Sequence, residues 1–94
     1  MPTIDVKTAV SAALNYLNFL QDNISKEIQT IRLEEVELSE DKNYWLITLG
    51  YDVPVKNQFS SLISPLTLVY KREYKLFKVN SETSEVESMK IRTI

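Results

Sequence analysis

VKTAVSAALNYLNFLQDNI, residues 6–24, is the stretch that decides the fold class of this chain. Its apolar residues recur in alternating steps of four and three, at Val6, Val10, Ala13, Leu17, Leu20 and Ile24. Side chains at this spacing lie on one face of an α-helix. The stretch therefore predicts an amphipathic helix that ends within residues 21–23. Thr3 or Asp5 begins it, because either side chain can accept a hydrogen bond from the first helical turn.

The chain after this helix alternates apolar and polar residues, which predicts β-strands. The clearest strand covers residues 44–51, and the others are predicted over residues 30–38, 66–79 and 85–92. In residues 30–38 the apolar positions change parity, and a one-residue bulge near Glu34 and Glu35 returns them to one face. One helix followed by about four antiparallel strands predicts an α+β domain in which the helix packs across the sheet.

Composition predicts one small globular domain over residues 1–94. Of the 94 residues, 44% are hydrophobic and 26% are charged, which is ordinary for a folded protein and allows a single core. The formal charge of −2 predicts no general attraction to nucleic acid or to an anionic membrane. The first residues lack a basic segment leading into an apolar block, and the chain has no cysteine. Both features predict a cytoplasmic protein.

The sequence offers few groups for catalysis. It contains no His, no Cys and one glycine, Gly50, which excludes thiolate metal sites, cysteine nucleophiles and glycine-rich phosphate loops. The remaining general bases are carboxylates, Lys and Tyr. Ser60 and Lys56 would form a nucleophile and base only if folding brought them together. We therefore predict that the protein is not an enzyme, with no catalytic residues, no cofactor and no metal site.

Two segments of opposite charge have alternative interpretations. The acidic segment, defined as Glu34, Glu35, Glu37, Glu40 and Asp41, can hold a hard cation, steer a basic partner or form a solvated strand surface. The solvated surface is favoured, because the loop geometry of a dedicated metal site is missing. The basic run Lys71, Arg72, Lys75 and Lys78 lies among aromatic residues, as in nucleic-acid surfaces. Its cations fall on both strand faces, which favours pairing with the acidic strand.

The segment Asn80-Ser81-Glu82-Thr83-Ser84-Glu85-Val86 resembles the Asp-x-x-Thr-Gly-x-Val turn of PepSY-type domains. In those domains an alanine-rich helix precedes the strands, much as Ala9, Ala12 and Ala13 do here. PepSY-like and cystatin-like folds both wrap an antiparallel sheet around one helix. The resemblance implies such a fold and a binding or protease-inhibiting accessory role, and a fold alone does not establish a function.

The turn departs from the PepSY pattern at two positions. Asn80 stands where the family has Asp, and Ser84 stands where it has Gly. A glycine there serves a positive φ angle, which serine adopts only at a cost. Residues 58–62 do not supply the Gln-x-Val-x-Gly hairpin of cystatins, so inhibition of cysteine proteases is not implied.

Aromatic and aliphatic residues outside the helix provide the candidate partner-binding residues. Trp45 and Tyr51 share one strand face, where they belong either to the core or to a recognition stripe. Residues 52–65 have no clear period and predict a long loop or an irregular edge segment. Its apolar residues bind a partner if they are exposed, and belong to the core if the segment folds over the end of the sheet. The predicted partner-binding set is Phe59, Leu62, Ile63 and Tyr51.

The most economical function for such a domain is a non-enzymatic protein-interaction module. Its partner is another protein or a second copy of the chain, with no role for nucleic acid or membrane. A homodimer is suggested by apolar residues on the strand face opposite Trp45, namely Tyr44, Leu46, Leu66, Leu68, Tyr70 and Leu76. The alternative is an inhibitor or immunity-type protein that blocks an enzyme through its acidic surface.

Overall fold

The computed structural model of the chain describes residues 3–23, 28–55 and 69–93. These residues form one helix and four strands: α1 (Val6–Asn23), β1 (Gln29–Leu38), β2 (Tyr44–Val55), β3 (Val69–Asn80) and β4 (Val86–Ile91). The strands make one antiparallel sheet in the order β1-β2-β3-β4. The predicted α+β class, with one helix and a four-stranded antiparallel sheet, is confirmed.

Helix α1 begins and ends where the sequence predicts. The Asp5 carboxylate accepts a hydrogen bond from the backbone N–H of Thr8 at 2.8 Å, so Asp5 is the N-cap. Hydrogen bonds from the side chain and the backbone of Thr8 lower the pKa of Asp5. The buried face of the helix consists of Ala9, Ala13 and Leu17. The side chains of the two alanines are small, which lets the helix lie close to the sheet.

The core lies between α1 and the face of the sheet formed by odd-numbered residues of β2 and β3. Its buried members on the strands are Ile47, Leu49, Tyr51, Val53, Phe77 and Val79. Tyr16 of α1 contacts Phe77 edge to face, with ring centroids 6.2 Å apart. Trp45 packs against this core and donates its indole N–H to the carbonyl of Ile4 at 3.1 Å.

Strands β2 and β3 pair over their whole length, from Tyr44 opposite Asn80 to Val55 opposite Val69. Residues 52–55 are therefore strand, so of the two alternatives predicted for residues 52–65 the long loop is wrong for these four residues. β3 also continues without a break through its charged residues 71–73. Pro54 fits into β2 because it lies beyond the last pairing of β1, Gln29 with Asp52, where no N–H is needed on that side.

Strand β1 carries the predicted bulge and a second one. The register shifts between Leu33 and Glu35, which leaves Glu34 as the extra residue. Leu33 and Val36 consequently lie opposite Leu49 and Ile47 on the helix side of the sheet. The second shift lies between residues 29 and 32, where Thr30 has a φ of 54°. A positive φ is unusual for a β-branched residue, so the second irregularity stores backbone strain.

In the turn between β3 and β4, Ser84 has a φ of 63°. A positive φ is expected here, because Ser84 stands where the PepSY-type turn has Gly. Asn80 supports this turn, because its side-chain oxygen accepts the N–H groups of Glu82 at 2.9 Å and Thr83 at 3.0 Å. The N–H of Ser84 in turn donates to the Asn80 carbonyl at 2.9 Å. The turn is well bonded apart from the conformation of Ser84.

Ser84→Gly is expected to stabilise the protein. Glycine adopts the positive φ without steric cost, and its greater freedom in the unfolded chain offsets part of the gain, leaving about 0.5–1 kcal/mol. Urea unfolding followed by circular dichroism measures this difference. Thr83→Gly is the matched control one residue earlier, where φ is not positive, and it should destabilise. Equal effects of the two substitutions would contradict the assignment of strain to Ser84.

Candidate interaction surfaces

Arg72 crosses the open face of the sheet, the face away from α1, and joins β3 to β2 and β1. Its Nη1 donates to Asp52 Oδ1 at 3.2 Å and to the carbonyl of Thr30 at 2.9 Å, and its Nη2 donates to Glu34 Oε1 at 3.1 Å. Desolvation opposes its charge, but the hydrogen bonds to Asp52 and Glu34 prevail and raise the pKa of Arg72. The side chain of Arg72 therefore makes a hydrogen bond at each of the two irregular positions of β1, to Thr30 and to Glu34.

Gly50 lies directly beneath this network. A Cβ atom at this position would stand 2.9 Å from Glu34 Cγ, 3.0 Å from Arg72 Nη2 and 3.1 Å from Tyr74 Cδ1. The backbone of Gly50 does not have a positive φ, so its lack of a side chain serves space and not conformation. The single glycine of the chain thus lets the Arg72–Glu34 pair cross β2.

Arg92 spans the open face further along the sheet. It donates to Thr48 Oγ1 at 2.6 Å through Nη1, and its Nη2 lies 3.0 Å from Glu35 Oε2. Thr48 is buried. Lys78 lies over the ring of Tyr44, with Nζ 4.0 Å from the centroid. The open face is therefore a mixture of half-buried apolar residues and ordered cations, in contrast to the apolar surface that the sequence suggests.

The acidic segment is largely occupied by groups of its own chain. Glu34 and Glu35 pair with Arg72 and Arg92, and for Arg72 this confirms the predicted pairing of the basic run with the acidic strand. Asp41 accepts hydrogen bonds from the Ser39 hydroxyl at 2.6 Å and from the Asn43 N–H at 3.0 Å, and both lower its pKa. Within the described residues, no group of three or more acidic side chains is placed to hold a metal ion.

The helix side of β1 is only partly covered. α1 packs mainly on β2, β3 and β4. A helix is about 10 Å across and strands are about 4.8 Å apart, so one helix covers two or three strands. On β1, Leu33 remains 47% exposed and Val36 38% exposed. We call these two residues the β1 apolar pair.

The β1 apolar pair was not among the partner-binding residues that the sequence predicts. The alternation and the bulge place both residues on the core side of the sheet. No local sequence pattern indicates that α1 covers β2 and leaves β1 partly uncovered. Of the predicted partner-binding residues, Phe59, Leu62 and Ile63 lie outside the described residues, as do Lys56, Ser60, Leu66 and Leu68.

Tyr51, the remaining predicted partner-binding residue, belongs to the core. Its side chain is 3% exposed and lies opposite Glu73 in the β2–β3 register, so it is not part of an exposed surface. Burial and the neighbouring Glu73 carboxylate, which accepts a hydrogen bond from the phenol, raise the pKa of Tyr51 to about 12. Packing under α1 decides this position, which the strand alternation alone leaves open.

Among the described residues, at least two cavities border β3. The smaller, about 110 Å³, is bordered by Leu17, Leu20, Ile28, Tyr51, Glu73, Lys75 and Met89. The larger, about 340 Å³, lies where β4 ends beside β3 and is open to solvent. Its border carries four cations and one carboxylate, Lys71, Arg72, Lys75, Arg92 and Glu73. The larger cavity is thus basic in a chain whose net charge is negative.

Comparison with protein-family models, with curated proteins and with solved structures found no match to this chain. The resemblance to PepSY-type and cystatin-like domains therefore stays a prediction. In the described part of the chain, helix α1 does not combine the length and the apolar character that a membrane span requires.

Proposed function

We propose that the protein is a non-enzymatic interaction module whose β1 apolar pair contacts another protein or a second copy of the chain. The observation that carries the proposal is the exposure of Leu33 and Val36 on the side of the sheet that elsewhere forms the core. Covering them would continue the existing core, as a partner does in many interfaces. We further propose a cytoplasmic location, for which support comes from the absence of cysteine.

The charges on β1 favour a second copy of the chain as the partner that covers the β1 apolar pair. In a two-fold pairing each strand runs antiparallel to its counterpart, so the Arg32 end of one copy meets the Glu37 end of the other. Both side chains are exposed, and both lie on the open face, opposite Gly50 and Leu46 of β2. The two ends are therefore complementary in charge, and the β1 apolar pairs of both copies meet between them on the helix side.

The inhibitor alternative receives less support from the acidic segment. Three of its five carboxylates bind groups within the chain, which leaves Glu37 and Glu40 as its exposed charges without a hydrogen bond or ion pair among the described residues. A surface that attracts a basic enzyme would gain from free carboxylates. A salt-sensitive complex with a basic enzyme would revive this alternative.

The proposed homodimer predicts that the mass in solution depends on concentration. We expect sedimentation equilibrium to show reversible dimerisation of the wild-type chain, because a dimer would cover the β1 apolar pair. Leu33→Gln combined with Val36→Thr should give a monomer with unchanged circular dichroism. Ile91→Gln is the matched control, since Ile91 is an exposed apolar residue at the opposite edge of the sheet. A wild-type chain that stays monomeric at every concentration would refute the homodimer.

A further inference from the structure

In the described part of the chain, β3 extends beyond the end of β4, and part of its edge has no neighbouring strand. β4 ends at Ile91, which pairs with Lys75, and the N–H of Arg92 then donates to the carbonyl of Tyr74 at 3.0 Å. On the other side β3 continues to pair with β2 as far as Val69 opposite Val55. Among the described residues no strand pairs with residues 69–73 of β3 on the β4 side.

The hydrogen bond from Arg92 identifies which backbone groups point to this edge. In an antiparallel strand every second residue directs its N–H and its C=O to the same neighbour. Tyr74 bonds to the β4 side, and so does Asn80, whose N–H donates to the Glu85 carbonyl at 2.8 Å. Tyr70 and Arg72 therefore direct their backbone N–H and C=O groups to the same side. Beyond the end of β4 these groups form a template for another strand.

The side chains around this edge favour an acidic ligand. The larger cavity, of about 340 Å³, borders the edge. Arg72 and Arg92 are already bound to carboxylates on the open face, whereas Lys71 and Lys75 lie on the helix side with Glu73 between them. The Lys71 side chain is 65% exposed and touches Glu73 only at 3.9 Å. An added carboxylate opposite Lys71 would form a cross-strand pair.

We propose that this edge binds an extended, acidic peptide segment of a partner protein by strand addition. The backbone of the segment pairs with Tyr70 and Arg72, and its side chains alternate between the two faces. An acidic residue on the helix side pairs with Lys71, and apolar residues on the open face pack beside Tyr70, which is 40% exposed. This edge lies on the far side of β2 from β1, so the inference stands independently of the proposed dimer.

An NMR titration with a short capped peptide, Thr-Val-Glu-Val-Thr, tests the proposal. We expect saturable shifts of the backbone amides of Tyr70 and Arg72, together with slower exchange of these amides with solvent. Lys71→Glu should weaken binding by about tenfold, because it replaces an attractive cross-strand pair by a repulsive one. Lys7→Glu makes the same charge change on the exposed side of α1 and should leave binding unchanged.

Two further peptides separate strand addition from general charge attraction. Replacing the glutamate by glutamine should weaken binding by a smaller factor, at most about fivefold, because it removes the attraction to Lys71 without adding a repulsion. Replacing the second valine by proline should abolish binding, because proline lacks the N–H that a ladder needs. Failure of the wild-type chain to bind would overturn the proposal. So would equal binding of the proline peptide, an equal loss in Lys7→Glu, or amide shifts confined to β1.

Discussion

Leu17→Asp is expected to unfold the protein. Leu17 is 2% exposed and lies in the centre of the face that α1 packs on the sheet. The substitution removes a buried leucine, which costs about 2–5 kcal/mol, and it buries a carboxylate without a partner, which costs several kcal/mol more. Leu17 borders the same small cavity as Glu73 and Lys75, one carboxylate and one cation, so the cavity offers the new charge little net attraction. The free energy of unfolding of a domain of this size is only about 5–10 kcal/mol in total.

Thermal unfolding followed by far-ultraviolet circular dichroism measures this effect. Asn18→Asp is the matched control, since it places a carboxylate one residue later on the exposed side of the same helix. The control should keep a cooperative transition close to that of the wild type. If the Leu17 variant melted at the wild-type temperature, the packing of α1 on the sheet would be wrong, and with it the core described here.

Gly50→Ala is expected to cost about 2–4 kcal/mol, although alanine is normally the better residue in a strand. The added methyl group would lie 2.9 Å from Glu34 Cγ and 3.0 Å from Arg72 Nη2. The pair would have to move, which loses charge-assisted hydrogen bonds to Glu34 and Asp52. Urea unfolding of the variant measures the loss.

The same substitution in a variant that lacks the Arg72–Glu34 pair identifies the cause of the lost stability. When Glu34→Ala and Arg72→Ala have already removed the pair, Tyr74 Cδ1 at 3.1 Å is the close contact that remains, and Gly50→Ala should then cost only about 1 kcal/mol. The difference between the two backgrounds is the coupling of Gly50 to the ion pair. An equal cost in both would mean that Gly50 is needed for another reason, and that the Arg72–Glu34 bridge does not cross β2 as described.

The local features of the fold could be predicted from the sequence because they depend on neighbouring residues. The cap at Asp5 and the bulge at Glu34 follow from side-chain spacing and chemistry. The positive φ of Ser84 is instead implied by the resemblance to the PepSY turn, which has Gly at this position. The extension of β2 to Val55 could not be predicted, since residues 52–55 become strand only by pairing with the start of β3.

The candidate interaction surfaces depend on how a helix and strands of different size pack together. Local sequence patterns carry no information about this packing. Leu33 and Val36 have the alternation of core residues and are exposed only because α1 is narrower than the sheet. Among the described residues, the edge of β3 at Tyr70 and Arg72 has no neighbouring strand because β4 has six residues and β3 has twelve.

Periodicity along the chain thus determined the α+β class, the bounds of the helix and the bulge of β1, because each depends on spacing over a few residues. Tertiary structure alone decided which apolar side chains stay uncovered, where Arg72 reaches and why residue 50 has no side chain. Those properties join β1 to β3 across β2, and residues 30, 34, 50 and 72 meet only when the strands are side by side.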